Sequence, residues 1–187
     1  MPRIHPLYPP YVREVATQLE SMMPSGVEPI TLFRTFARNL PMAGAMGTWG
    51  AYELGRHLSV GRREREIVID RTCVRCGCEY EWGVHVAFFA QAAGLSAEQT
   101  TSLAHGSSTD PCWTEPHERA LIDMVDALHE DADLSDGLWD GLASHFSDEQ
   151  LLDLLFLCGW YHAISFVARA TRVDLEEGAP TFDSVAQ

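Results

Sequence analysis

The stretch "REREIVIDRTCVRCGCEYEWGVH", residues 63–85, predicts two consecutive helices separated by a single glycine, Gly77. Glycine leaves the helical conformation more readily than any other residue except proline, so Gly77 is the expected break. The second helix should run from about residue 78 to residue 93. Gly94 then follows at the position where glycine commonly closes a helix.

The rest of the chain shows the same helical spacing of apolar residues. Further helices are predicted over residues 11–23, 31–39, 42–60 and 114–130, in "LSAEQTTSLAHG" (residues 95–106), and in two segments after residue 133. Ser96 with Gln99, and Ser147 with Gln150, are capping boxes that mark helix starts. No segment alternates like a strand, so the chain is predicted to be all-α. The helix after Ser147 is apolar almost all round, and it should be the buried central one.

A chain of 187 residues most simply forms one domain, expected over residues 1–180, with a loosely ordered tail at 181–187. The net charge of −14 argues against nucleic acid and against anionic membranes as partners, since both require basic patches. The start "MPRIHPLYPP" lacks the apolar segment of a signal peptide. Five cysteines, three of them within six positions, do not form a secreted disulfide framework, which favours reduced thiols and the cytoplasm.

Helical geometry places several reactive side chains of residues 78–89 on one stripe. At about 100° per residue, Cys78, Glu81, Trp82 and His85 lie close together on the second helix. The apolar members of the stripe should turn it inward, so that the polar members face a partly buried pocket. Glu81 and His85 are spaced to interact, and burial raises a glutamate pKa towards neutrality. The pair fits proton transfer, although a structural ion pair is the alternative.

The cysteines and the remaining histidine have more than one interpretation. Cys78 lies near a helix N-terminus, which lowers the pKa of a thiol, yet a lone cysteine is most often a small buried apolar residue. Cys73, Cys76, Cys78 and His85 match zinc in number, but Gly77 redirects the chain between them, and no metal is predicted. His162 lies on the most apolar helix, where it is either a core histidine or part of the pocket wall.

Four short segments carry a family resemblance: "LFRTFARN" (32–39), "REREIVIDRT" (63–72), "EYEWGVH" (79–85) and "AAGLS" (92–96). The most specific element is the spacing of Glu66, eleven residues, Cys78, two residues, Glu81, three residues and His85. With these segments the chain resembles the carboxymuconolactone decarboxylase and alkylhydroperoxidase-D-like superfamily of small all-α proteins. The resemblance covers most of residues 1–180 and implies that helical fold.

The resemblance also implies two kinds of chemistry. In the peroxidase branch, positions 78 and 81 are both cysteine and form a redox pair, while a glutamate and a histidine relay a proton to the thiol. Here Cys78, Glu66 and His85 match that pattern, whereas position 81 is Glu81. A glutamate at this place resembles the decarboxylase-type branch, whose members carry out proton chemistry without a cofactor.

We therefore expect a carboxymuconolactone decarboxylase-like enzyme that acts without cofactor on a small carboxylated lactone or carbonyl acid. In this interpretation His85 donates the proton, Glu81 orients and tunes it, and Glu66 completes the relay. Trp82 and His162 would contact the substrate. Members of the family assemble through their helices, which implies a homodimer, trimer or hexamer.

Two alternatives remain open at the level of the sequence. The first is a thiol peroxidase or antioxidant protein that uses Cys78. The second is an oligomeric binding protein that keeps the fold without the reaction.

Overall fold

Residues 1–186, which the computed structural model describes, form nine α-helices and one short 3₁₀ turn, with no strand in that range. The helices are α1 (Arg13–Ser21), α2 (Thr31–Phe36), α3 (Leu40–Glu53), α4 (Arg62–Arg75), α5 (Glu79–Phe89), α6 (Ala97–His105), α7 (Pro116–Asp131), α8 (Asp136–Ala143) and α9 (Asp148–Thr171). The prediction of an all-α chain is confirmed. Gln187, the last residue of the predicted tail, lies outside the described residues.

The break between α4 and α5 falls at Gly77, which adopts φ +63°, a left-handed conformation that favours glycine. The N–H of Cys78 then closes the turn by donating to the carbonyl of Cys73 at 2.7 Å. Gly94 ends the helical segment after α5 with φ +67°. These two turns set the direction of α5 relative to α4, and the site depends on both helices.

Both predicted capping boxes are present. The hydroxyl of Ser96 accepts from the backbone of Gln99 at the start of α6, and that of Ser147 accepts from Gln150 at the start of α9. In each case the glutamine side chain accepts from the serine backbone N–H in return, so two otherwise unpaired donors of the first turn are satisfied.

Helix α4 is the central element of the core. Its residues 65–73 are all buried, because α5, α6, α7 and α9 pack around it. Ile67, Val68 and Ile69 are fully enclosed, as expected of an apolar interior. The same buried run also contains Glu66 and Asp70, and a carboxyl group in such a place has to be neutral or paired.

Helix α9 was expected to be the buried central helix, and the structure differs. One face packs against α4 and α5, but Leu152, Phe156 and Phe166 on the other face remain 59%, 62% and 64% exposed. A helix that is apolar on all sides can be buried within its own chain or against another molecule. The sequence pattern is the same in both cases. In the described part of the chain α9 alone is long and apolar enough to cross a membrane, although half of that stretch is buried in the protein.

The C-terminal segment returns to the helical body. The ring of Phe182 packs on Trp82 with 5.1 Å between centroids, and Thr101 donates to the carbonyl of Val185. Residues 183–185 form the 3₁₀ turn. Over residues 181–186 the chain is therefore in contact with the predicted domain, and the packed structure does not end at residue 180.

Candidate active site

A cavity of about 380 Å³ lies between α2, α3, α5 and α9. Its walls are largely aromatic and aliphatic, with Phe33, Phe36, Phe88, Phe89 and Trp160 among the larger side chains. Three ionisable side chains line it, namely Glu81, His85 and Tyr161. No arginine is among the lining residues in the described part of the chain. The cavity therefore presents a small group of proton-carrying side chains to an otherwise apolar space, as many ligand sites do.

The imidazole of His85 is the centre of this group. Its Nδ1 lies 2.7 Å from Oε2 of Glu66, and its Nε2 lies 3.0 Å from the hydroxyl of Tyr161. Oε1 of Glu81 is farther from Nε2, at 3.7 Å. Because α4 supplies Glu66 and α9 supplies Tyr161, the ring is held between two helices. In the structure Glu66 is therefore the carboxylate that orients the His85 ring, whereas the sequence had suggested Glu81.

Behind His85 the network continues to Arg65. The guanidinium of Arg65 contacts the second oxygen of Glu66 at 2.6 Å and also donates to the carbonyl of Leu54. Glu66 is fully buried, and Arg65 and His85 are nearly so. A buried carboxylate that accepts from two charged donors is satisfied, and such charge-assisted bonds are among the stronger ones in proteins.

The electrostatic environment favours an ion pair between Glu66 and His85. Burial by itself raises the pKa of Glu66, but the charges and hydrogen bonds of His85 and Arg65 outweigh it and leave that pKa below its ordinary value. Burial lowers the pKa of His85, and the carboxylate of Glu66 overcomes this effect, with smaller help from Glu81 and Asp70. The pKa of His85 is therefore raised, which favours the imidazolium.

Two further carboxyl groups close to His85 behave differently. Burial raises the pKa of Glu81 and, more strongly, that of Asp70, and His85 opposes the shift at both. Oε2 of Glu81 and both oxygens of Asp70 have no hydrogen-bond partner among residues 1–186. Both groups are thus favoured in the neutral form, with Glu81 at the cavity and Asp70 in the core beneath it.

Cys78 lies at the N-cap of α5, but it does not line the cavity and its side chain is 1% exposed. Burial raises the pKa of its thiol to about 11, although the backbone N–H of Glu81 acts in the opposite direction. A helix N-terminus was expected to lower this pKa. The loss of water around the sulfur is the larger effect here.

The two predicted substrate contacts lie elsewhere. Trp82 is fully buried against Phe182 and is not among the residues that line the cavity. His162 points towards α7, where its Nε2 lies 3.0 Å from Nδ1 of His129. Tyr161, its neighbour in sequence, is the residue of α9 that reaches His85. The sequence offered Cys73, Cys76, Cys78 and His85 as a set that matches zinc in number. In the described residues this set does not form a ligand group.

No protein-family model and no curated protein matches the chain by sequence. Among solved structures, a peroxidase-related protein from Silicibacter sp. TM1040, itself uncharacterised, superposes with a TM-score of 0.79 at 18% identity, covering 96% of each chain. An alkylhydroperoxidase AhpD core protein from Ralstonia eutropha JMP134 superposes at 0.76 with 14% identity over 93% of each chain. The debrominase Bmp8 gives 0.75 with 17% identity over 97% of each chain.

At these identities the likeness concerns the fold and does not separate the decarboxylase-type branch from the peroxidase branch. The helical order, the matched lengths and the TM-scores nevertheless agree with the resemblance drawn from residues 32–39, 63–72, 79–85 and 92–96. This chain has the fold of the alkylhydroperoxidase-D-like superfamily.

Proposed function

We propose that this protein is a cofactor-independent acid–base enzyme that transfers a proton to carbon in a small carbonyl compound, with decarboxylation of a carbonyl acid or carboxylated lactone as the favoured reaction. One observation carries the proposal. His85 is bonded through Nδ1 to the buried carboxylate of Glu66, and its Nε2 faces an apolar cavity beside Tyr161 and Glu81.

The charge balance supports His85 as the acid. Arg65 and Glu66 neutralise each other, so an imidazolium at His85 leaves one positive charge at the cavity. Glu81 is favoured in its neutral form because burial raises its pKa. The raised pKa of His85 favours the protonated ring, which is the form that a general acid requires.

The same charge suits a carboxylate substrate. Arg71 and Arg75, the cations near the sequence motif, pair with Asp126 and Glu130 and do not line the cavity. His85 is then the cationic group that can meet a substrate carboxylate or the enolate formed from it. The aromatic walls suit a small substrate whose body is mostly apolar. A cysteine-to-alanine variant of the debrominase Bmp8 was crystallised with 2,3,4-tribromopyrrole, a small flat ring, and a ligand of similar size fits the proposal.

The chemical steps follow from these contacts. The bond between the carboxylate carbon and its neighbour breaks, carbon dioxide leaves, and the electron pair stays on the substrate as an enolate. His85 and the hydroxyl of Tyr161 offer hydrogen bonds to the enolate oxygen. Nε2 of His85 then donates its proton to the carbon, and solvent restores the imidazolium. The turnover consumes one proton and needs no oxidant. Positioned proton transfer of this type contributes about 10² to 10⁴ in rate.

Two fold neighbours are peroxidase-related proteins, which favours the peroxidase alternative. The burial of Cys78, its absence from the cavity wall and a pKa of about 11 weigh against it. Glu81 also stands where that branch has its second cysteine.

The proposal is tested by offering β-keto acids and carboxylated lactones with apolar bodies in deuterated water. Carbon dioxide release and deuterium at the product carbon are followed by NMR. His85→Gln should lower turnover at least about a hundredfold, whereas His105→Gln, an exposed histidine on α6, should leave it unchanged. Turnover that survives His85→Gln contradicts the acid–base assignment. Hydroperoxide consumption that disappears in Cys78→Ser would favour the peroxidase, and ligand binding without turnover would favour a binding protein.

A further inference from the structure

A second cluster of reactive side chains lies at the face of α9 that is turned about 100° from Tyr161. It consists of Cys76 at the C-terminus of α4, His129 on α7 and His162 on α9. One ligand atom from each residue, Sγ of Cys76 and a ring nitrogen of each histidine, lies within 4.8 Å of the others. We propose that these three residues form a zinc-binding site that ties α4, α7 and α9 together. The sequence had predicted no metal.

The distance between the two histidine nitrogens suits a tetrahedral ion with little movement. With zinc–sulfur bonds of about 2.3 Å and zinc–nitrogen bonds of about 2.0–2.1 Å, ligand atoms lie about 3.3–3.6 Å apart. Nδ1 of His129 and Nε2 of His162 are already 3.0 Å apart, so the two rings need to separate by only a few tenths of an ångström. The rings also face each other at 5.3 Å between centroids, at an angle of 30°.

The orientation of His162 is fixed in the manner of a metal ligand. Its Nδ1 donates to the carbonyl of Cys158 at 2.9 Å, which leaves the lone pair of the neutral ring on Nε2, directed at His129. Metal-bound histidines usually donate their other ring N–H to a carbonyl or carboxylate, because this bond fixes both tautomer and ring direction. In the metal-free state Nδ1 of His129 donates to His162. On binding, that proton moves to the other ring nitrogen of His129.

The surroundings are compatible with a thiolate and two neutral imidazoles. The guanidinium of Arg169 donates to the carbonyl of Cys76 at 2.7 Å and places a positive charge close to the ligand group. Arg75, the cation beside His129, is compensated by its pairs with Glu130 and Asp126.

Three protein ligands leave a fourth position for water, as in zinc sites that are open to solvent. Because the ligands come from three separate helices, a bound ion would cross-link the end of α4 to α7 and α9. Binding to the folded state alone raises the midpoint of thermal unfolding as the zinc concentration rises. Stabilisation is therefore the expected readout, and it does not depend on the reaction proposed for the cavity.

The test uses the full chain after reduction and removal of metals. Titration with Co²⁺ should give one equivalent of tetrahedral cobalt with a sulfur-to-metal charge-transfer band, and Zn²⁺ should displace it. Cys76→Ser and His162→Gln should each weaken binding at least about a hundredfold and abolish the thermal stabilisation by zinc. Cys112→Ser and His105→Gln are matched controls that remove a cysteine and a histidine elsewhere, and they should bind like the wild type.

A second measurement uses the wild-type chain, so its result does not depend on whether the variants fold. Zinc should shift the ring NMR signals of His129 and His162 while those of His105 stay in place. Absence of stoichiometric binding by the wild type, unchanged affinity in both folded variants, or unmoved His129 and His162 signals would each overturn the proposal.

Discussion

Oε2 of Glu66 lies 2.7 Å from Nδ1 of His85, and this bond joins the two helices on either side of Gly77. Glu66 is fully buried and His85 is 3% exposed, so the pair is almost free of solvent screening. It fixes the imidazole ring from behind, which turns Nε2 towards the cavity. The bond therefore links the packing of α4 against α5 to the proton chemistry proposed for His85.

Glu66→Gln should lower the pKa of His85. The carboxylate is the main influence that raises this pKa, and without it only the smaller effects of Glu81 and Asp70 oppose the lowering by burial. Glutamine keeps one carbonyl oxygen for Arg65, so we expect a loss of stability of about 1–3 kcal/mol. Histidine ring signals followed by NMR between pH 5 and 9 report the titration directly. Glu98→Gln, an exposed acid on α6, is the control and should leave the His85 titration in place.

The ion pair between Glu66 and His85 should stabilise the folded state fully only within a limited pH range. The raised pKa of His85 contributes stability below about pH 6.5 that is lost as the pH rises through the folded value. The lowered pKa of Glu66 contributes stability above about pH 4.5 that is lost as the pH falls through its folded value. The stability difference between wild type and Glu66→Gln should therefore be largest between about pH 4.5 and 6.5. A difference independent of pH would contradict the ion pair.

Asp70→Asn should stabilise the protein at neutral pH. Burial raises the pKa of Asp70 well above 3.8, so the folded state keeps a proton that the unfolded state releases. The wild type should lose about 1.4 kcal/mol of stability per pH unit relative to the variant over the interval between the two pKa values. Urea unfolding at pH 5, 6, 7 and 8 measures this slope. Parallel stability profiles would mean that Asp70 is ionised, or otherwise paired, in the folded chain.

Cys78 should react slowly with thiol reagents. With a pKa of about 11 and a side chain 1% exposed, it has almost no accessible thiolate at pH 7.5. A brief pulse of iodoacetamide or organic hydroperoxide, read by mass spectrometry, should modify the half-buried Cys112 well before Cys78. The urea-unfolded chain controls for intrinsic reactivity, since both thiols should then react at similar rates. Selective, reversible oxidation of Cys78 in the folded chain would favour the peroxidase interpretation over ours.

Local sequence rules predicted much of this fold because its helices carry their own boundaries. Gly77 and Gly94 end helical segments, and the two capping boxes begin others, so these positions do not depend on distant contacts. The association of Glu66 with His85 was also accessible from the sequence, although only through the resemblance of its motif spacing to that of a known superfamily. Spacing within one helix favoured Glu81 instead, since it cannot show that α4 brings a second carboxylate closer.

Residues on distant helices were harder to place. The buried residues of α9, including Leu154, Leu157, Cys158 and Ile164, recur three or four positions apart, and Tyr161 belongs to that series. His162 lies about 100° from it. The helical pattern could therefore have placed Tyr161 rather than His162 towards α5. What the pattern could not give is the partner of His162, because that depends on how α7 crosses α9.

The exposed apolar face of α9 is a candidate interface for the homo-oligomer expected from the sequence. Leu152, Phe156 and Phe166 project from it, while Gly159 and Ala163 lie between them and would allow close approach of another helix. These residues follow a spacing of four and three, which is the period of helices that pack side by side. The face carries no charge in a chain of net charge −14, so it escapes the repulsion between copies. Contiguous exposed apolar patches of this kind are rare on monomers.

We propose that a second copy of the chain covers this face. Size-exclusion chromatography with light scattering at micromolar concentration should then give at least twice the chain mass of 20.8 kDa. Phe156→Glu places a charge at the centre of the face and should shift the protein towards the monomer, because burying an unpaired carboxylate between two copies costs several kcal/mol. Leu175→Glu adds the same charge at an exposed apolar residue beyond α9 and should leave the mass unchanged. A monomeric wild type, or equal masses for the wild type and both variants, would remove α9 as the interface.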